Sequence, residues 1–299
     1  MPFGLAVTWP EFKKEMDRYQ PAAGIDNTLI RFYEQLFQIW YDFRERITGD
    51  TSLWKSEEIK ELLRQGRFLL HGRQVPVDGP LYRQALSKIV EALSCLYPET
   101  GGLQKLLELS DLQGQSLAKF LAESASFDGE KMVKYVREQK WDEMTGVEAE
   151  LAAFVLFQAL GPFYQSLGAS VAELSDFSLW QHGFCPLCGQ KPGMAMLRPE
   201  DGARILECWL CHLQWQFPRL ECPFCANKDF TQLQFFYTEE HPGRRVQLCD
   251  CCKSYLKTVV TKEIGREVIL ELENIFTIEL DFLARREGFL PGENLTLLS

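Results

Sequence analysis

Nine of the ten cysteines in this 299-residue chain fall between residues 185 and 252, and eight of them form four CxxC pairs. The pairs are Cys185/Cys188, Cys208/Cys211, Cys222/Cys225 and Cys249/Cys252. Four thiolates satisfy one tetrahedral ion, so four pairs make two closed donor sets. Two of the turns read CPxC, at Cys185-Pro186-Leu187-Cys188 and Cys222-Pro223-Phe224-Cys225. Proline fixes the entry to such a turn, and a following glycine, as at Gly189, permits a left-handed exit. All-thiolate sets leave no position for water, which argues against hydrolytic metal chemistry. They suit zinc and also a single iron, and only iron would add a one-electron couple.

Spacing favours sequential pairing. Cys185, Cys188, Cys208 and Cys211 form one set, and Cys222, Cys225, Cys249 and Cys252 the other. A cross-braced pairing, first pair with third and second with fourth, remains open on spacing alone. Cys208-Trp209-Leu210-Cys211-His212 also fits the haem-attachment pattern CxxCH. That chemistry requires export, and residues 1–10 show neither a basic nor a long apolar region of a signal peptide. Cys251, between two ligand positions, reads as an incidental thiol. With each donor set complete, His212, His182 and His241 read as bystanders, His212 as a surface residue.

The elements that position these turns are short strands. Residues 194–198 and 204–207 predict one hairpin, joined by Pro199-Glu200-Asp201-Gly202, and residues 233–238 and 246–248 predict another. Two tandem zinc-ribbon or rubredoxin-like modules follow, over 179–218 and 219–265. A strand over 254–261 and a helix over 271–286 come next, within a C-terminal segment assigned to 266–299.

Residues 1–178 read as helical. From the N-cap Asp26, apolar residues recur at three- and four-residue spacing from Leu29 to Ile47, with Gly49 as the stop. Further helices are predicted over 56–70, 81–96, 103–109, 117–124, 129–140 and 147–160. Gly161-Pro162 should break the last, leaving a short helix over 163–174. The fold class is therefore α+β: a helical domain, two tandem four-cysteine ribbons and a C-terminal helix. No catalytic constellation stands out. His71 lies in a Gly/Pro loop, Trp40, Tyr41, Phe43 and Trp54 read as core, and Cys95 as a small buried side chain. The chain reads as a non-enzyme.

Composition narrows the partners. Apolar residues make up 46%, charged residues 25%, and the formal net charge is −10. Residues 181–299 hold 13 Lys/Arg against 16 Asp/Glu, before the thiolates are counted. This disfavours nucleic acid, although ribbons often serve there. The most apolar run, 147–160, is shorter than the roughly 20 residues that span a bilayer. A cytoplasmic protein without membrane insertion is expected, where paired cysteines are ligands or redox thiols rather than structural disulfides.

The order CPLCG, hairpin, CWLCHLQW, spacer, CPFC, hairpin and a CxxC followed by SYLKT resembles the formate dehydrogenase accessory protein FdhE family. Trp215, Tyr255-Leu256-Lys257 and the acidic helix ending before Gly288 carry the likeness, which is most specific over 184–290. The resemblance implies a cytoplasmic maturation factor that binds the catalytic subunit of formate dehydrogenase. It also implies rubredoxin-like iron at the eight paired cysteines. Ala226 and Lys253 depart from the pattern at positions after the third and fourth pairs. A rubredoxin-like redox protein and a nucleic-acid-binding ribbon remain the competing readings, and a homodimer is left open.

Overall fold

The computed structural model describes residues 7–19, 26–47, 54–124, 129–174 and 176–292. By their contacts they divide into two compact units. One draws on described residues within 7–27, 54–71 and 167–292, the other on described residues within 28–47 and 72–166.

The second unit is helical. It contains α2 (Asn27–Arg44), α4 (Gly79–Leu96), α5 (Gly114–Ser124), α6 (Gly129–Glu138), α7 (Trp141–Thr145) and the first part of α8 (Ala149–Leu174). Phe32, Leu36 and Phe43 on α2 are buried, as the three-and-four spacing requires. Asp78 caps α4, its side chain accepting from the Leu81 N–H at 2.8 Å. Gly49, the expected stop of α2, lies outside the described residues. The helix expected over 103–109 is a 3₁₀ helix beginning at Pro98. Arg83 reaches the carbonyls of Leu112 and Leu107 at 2.7 and 2.8 Å, which supports this irregular stretch. Cys95, expected to be buried, is exposed.

The expected break at Gly161-Pro162 does not occur, and α8 runs straight through Pro162. A proline there removes the N–H that would bond the Gln158 carbonyl, four residues back. Trp40 on α2 supplies the missing donor, its Nε1–H reaching the Gln158 carbonyl at 3.0 Å. Gly161 lets the indole lie against the helix, since a Cβ there would come within 3.3 Å of it. In length and apolarity α8 would pass as a membrane span, but 94% of its most apolar window is buried inside the fold. It is a core helix.

The first unit contains α1 (Trp9–Met16), α3 (Ser56–Arg64) and a seven-stranded sheet. The helix expected over 56–70 stops at Arg64. Gly66, at φ +66°, closes it as the Arg67 and Gly66 N–H groups turn back to the carbonyls of Leu62 and Leu63. The strands are β1 (Pro192–Leu197), β2 (Arg204–Cys208), β3 (Gln214–Phe217), β4 (Leu233–Phe236), β5 (Arg244–Cys249), β6 (Ser254–Val260) and β7 (Leu290–Pro291). β1–β2–β3 and β4–β5–β6 are two antiparallel meanders. Parallel pairing of β1 with β6, at Ala195↔Thr258, joins them into one sheet. The two expected modules are thus halves of one sheet, each with a third strand after its second turn.

The C-terminal helix expected over 271–286 is two helices, α10 (Leu270–Phe276) and α11 (Ile278–Arg286), with α9 (Thr261–Ile264) before them. The chain turns at Thr277. Lys257 on β6 enters this break and donates to the Asn274 carbonyl at 2.6 Å. α11 covers the second meander: Leu280 and Ala284 pack with Val246, Tyr255 and Phe289 in a buried cluster.

Candidate metal centres

Each meander carries two cysteine turns, one before its first strand and one between its last two. The local structure repeats. In the first three turns the leading cysteine N–H donates to a carbonyl five residues on. The residue four positions on donates back to the cysteine carbonyl, as in Cys185 N–H to Gln190 O at 2.7 Å and Gly189 N–H to Cys185 O at 3.0 Å. That exit requires a left-handed residue, and all four turns have one: Gly189 (φ +74°), His212 (+54°), Ala226 (+57°) and Lys253 (+54°). The departures at Ala226 and Lys253 therefore keep the turn geometry.

The turns bring the eight sulfurs into two groups of four, and within each group the atoms lie within 4.8 Å of one another. Cys185, Cys188, Cys208 and Cys211 form one group, and Cys222, Cys225, Cys249 and Cys252 the other. The sequential pairing is the geometric one. In the first group Cys185–Cys211 and Cys188–Cys208 are 3.5 Å apart. In the second, Cys222–Cys252 and Cys225–Cys249 are 3.7 Å apart. Sulfurs placed tetrahedrally around an ion at about 2.3 Å are separated by roughly 3.8 Å, so both groups fit a four-coordinate ion. Each could hold a metal.

The electrostatics point the same way. Burial opposes ionisation at Cys185, but hydrogen bonds from the neighbouring thiols outweigh it and bring this thiol well below its usual range. Burial, followed by the same neighbours, pushes Cys188 and Cys211 well up. In the second group Cys249 lies below the ordinary range, where burial is outweighed by backbone and thiol hydrogen bonds. Burial pushes Cys222 up to about 11. Four crowded thiols cannot all ionise together without a cation, and a divalent ion supplies the compensation.

The two centres differ in surroundings. In the first, Cys185, Cys208 and Cys211 are buried; in the second, Cys225 is exposed and Cys252 half-buried. The irregular segment after α3 braces the first centre. Leu69 and Leu70 N–H groups donate to the Pro186 and Leu187 carbonyls at 2.8 and 2.9 Å. Phe68 lies over Gly189, where a Cβ would approach its ring to 2.9 Å. Gly183, just before the first turn, meets the Pro223 backbone of the third so closely that a Cβ would overlap it.

Sequence reasoning missed two further residues. Arg204 on β2 is buried, stacks on Phe217 with its guanidinium carbon 5.0 Å from the ring centre, and donates to Gln247 at 3.0 Å. It also donates to the carbonyls of Pro218 and Glu221, in the linker that leads to Cys222. Burial lowers its pKa to about 10, partly offset by Cys222 and Glu221. The second is His212, expected on the surface but buried. Its Nδ1 lies 3.6 Å from Glu207 and 3.3 Å from Glu271. His241 is buried as well, with Nε2 2.8 Å from Glu279. His182 stacks on Phe184 at 5.0 Å. Cys251 is an exposed free thiol.

Residues 184–219 match the family model "FdhE, central domain". A Protein FdhE homolog from Aquifex aeolicus (strain VF5) is 29% identical over 151 residues, 50% of this chain and 52% of that protein. A Protein FdhE homolog from Shewanella oneidensis is 27% identical over 194 residues, 63% of each chain. The chain thus spans between half and two thirds of these curated relatives. The crystal structure of the FdhE protein from Pseudomonas aeruginosa has the same fold. Its TM-score is 0.56 at 20% identity, covering 89% of this chain and 87% of that one. The resemblance to the FdhE family drawn from the CxxC pairs is borne out by the family match, the relatives and the shared fold.

Proposed function

We propose that this FdhE-like chain is a non-catalytic, cytoplasmic maturation factor that binds the catalytic subunit of a formate dehydrogenase and assists its assembly. Cys185, Cys188, Cys208 and Cys211 would hold one metal ion, and Cys222, Cys225, Cys249 and Cys252 a second. The ribbon modules over 179–218 and 219–265 would act as the metal-bound part. The observation that carries this reading is the paired four-cysteine geometry, half of which lies in the stretch matching the FdhE central domain.

Closed thiolate sets supply structural stabilisation with either zinc or iron, and iron would also supply a one-electron couple. A structural ion of this kind contributes about 10–16 kcal/mol to folding, enough to hold two short meanders in place. For docking, the surface beside the second centre is well suited. A cavity bordered by Cys222 and Cys249 is flanked by the exposed Leu220, Phe230 and Phe235, and aromatic side chains are enriched at protein interfaces. The exposure of Cys225 gives the redox reading its support, since electron transfer needs an accessible centre.

The test is affinity purification of the chain from cells that make formate dehydrogenase, with metal analysis of the eluate. Recovery of the catalytic subunit with two ions per chain supports the proposal. Recovery of the chain without that subunit would count against it. A colourless zinc protein would remove the redox reading and leave the maturation reading in place.

A further inference from the structure

Beside the first thiolate centre, but separate from it, lies a second kind of donor cluster. Glu207 lies next to the end of β2, His212 leaves the second cysteine turn in the left-handed conformation, and Glu271 stands at the start of α10. One ligand atom from each lies within 4.8 Å of the others. The side chains of Glu207, His212 and Glu271 are 3%, 8% and 9% exposed, so all three are withdrawn from water.

The separations of His212 from the two carboxylates exceed the length of a charge-assisted hydrogen bond. His212 Nδ1 is 3.3 Å from Glu271 Oε1 and 3.6 Å from Glu207 Oε1. Charge-assisted N–H···O bonds close to about 2.7–2.9 Å. Nitrogen and oxygen ligands set tetrahedrally around one ion at about 2.0–2.1 Å are instead about 3.3–3.4 Å apart. Two buried carboxylates face one imidazole, which carries at most a single positive charge, so a proton or a bound cation must balance the second carboxylate. A further, independent observation is that Glu271 Oε2 is buried without a hydrogen-bond partner among the described residues. Gln214 on β3 donates to Glu207 Oε2 at 2.7 Å, the kind of outer hydrogen bond that orients a metal-bound carboxylate.

We propose that Glu207, His212 and Glu271 form a third metal site, which takes a divalent first-row cation through one imidazole nitrogen and two carboxylates. Its donor set differs from the thiolate centres and leaves a coordination position for water or a small anion. The ion would tie the second cysteine turn to α10, two parts of the fold far apart in sequence.

The test is zinc stoichiometry on the full chain, dialysed against micromolar free Zn²⁺ and measured by elemental analysis. The variants are Glu271→Gln, which is nearly isosteric, and His212→Asn, which tolerates a left-handed backbone. The wild type should hold one ion more than either variant. Equal zinc content in wild type and both variants would overturn the proposal. A Cys222→Ala/Cys225→Ala chain reports separately on the thiolate assignment, because it should lose one ion and keep the increment that depends on Glu271. If a variant fails to fold, the wild type still decides: anomalous scattering at the zinc edge must show a peak between Glu207, His212 and Glu271, and its absence would overturn the site.

Discussion

Lys257 on β6 and Asp281 on α11 are joined by a buried 2.6 Å ion pair. The same carboxylate accepts from the Tyr255 hydroxyl at 2.8 Å. The tyrosine and lysine of the Tyr255-Leu256-Lys257 stretch thus converge on one acid. Lys257 also satisfies a carbonyl freed where α10 gives way to α11, so a single ammonium holds a helix break and fixes α11 over the second meander. Replacing Lys257 with methionine leaves Asp281 half-buried and half-partnered. Loss of one partner of a buried pair costs about 3–5 kcal/mol, and chemical denaturation of the metal-loaded protein should show a loss of that size. Adding Asp281→Leu to Lys257→Met should recover part of it, and a single-variant loss under about 1 kcal/mol would contradict the role given to the pair.

Trp40 supports the continuous proline-containing helix in a comparable way. Trp40→Phe keeps most of the ring but removes the indole N–H directed at Gln158 O. A buried carbonyl left without its donor costs about 1–3 kcal/mol. The thermal midpoint should fall accordingly, and an unchanged midpoint would show that the carbonyl finds another donor.

Ala226 occupies a left-handed position where glycine is at ease. Ala226→Gly should therefore stabilise the metal-loaded protein by about 1 kcal/mol, relieving the left-handed cost of a side chain. The opposite change at Gly189, Gly189→Ala, adds that cost and pushes a methyl against Phe68, and should destabilise. Equilibrium denaturation of both variants checks the pair of signs.

Metal binding should depend on pH with a definite sign. Cys188, Cys211 and Cys222 have thiol pKa values raised by burial, so without an ion they hold their protons at neutral pH. Loading an ion must displace those protons, and the apparent affinity rises with pH by about tenfold per unit for each proton released. It falls again on acidification. Competition with a chromogenic chelator between about pH 6 and 8 measures the slope, and a flat profile would rule out thiolate ligation. At fixed pH the same chelator should empty the second centre first, because Cys225 is exposed while three cysteines of the first are buried.

The grouping of the eight paired cysteines, the hairpins and most helices are legible in the sequence because each rests on local spacing: CxxC turns, alternation, and apolar residues every three or four positions. The misreadings have a common physical origin in partners distant along the chain. Pro162 looks like a helix breaker until Trp40 is found beside Gln158. Leu69 and Leu70 continue an apolar period, yet their N–H groups serve the first cysteine turn, and Gly66 was the local sign that the helix had ended. Residues 271–286 carry one helical period, and at the break Lys257 and Thr277 take up the carbonyls of Asn274 and Glu273. His212 looks like a surface residue in the sequence because its neighbours in the fold, Glu207 and Glu271, come from a strand and a helix with no visible link to it. The sequence also could not show that β1 pairs with β6, which turns two ribbons into one sheet.

The most direct test of the central claim is formate dehydrogenase activity in cells lacking this chain, with the amount of catalytic subunit measured in parallel. The subunit should still be made but be largely inactive. Activity should return with the wild-type chain and not with Cys222→Ala/Cys225→Ala. Full activity in the absence of the chain would contradict it.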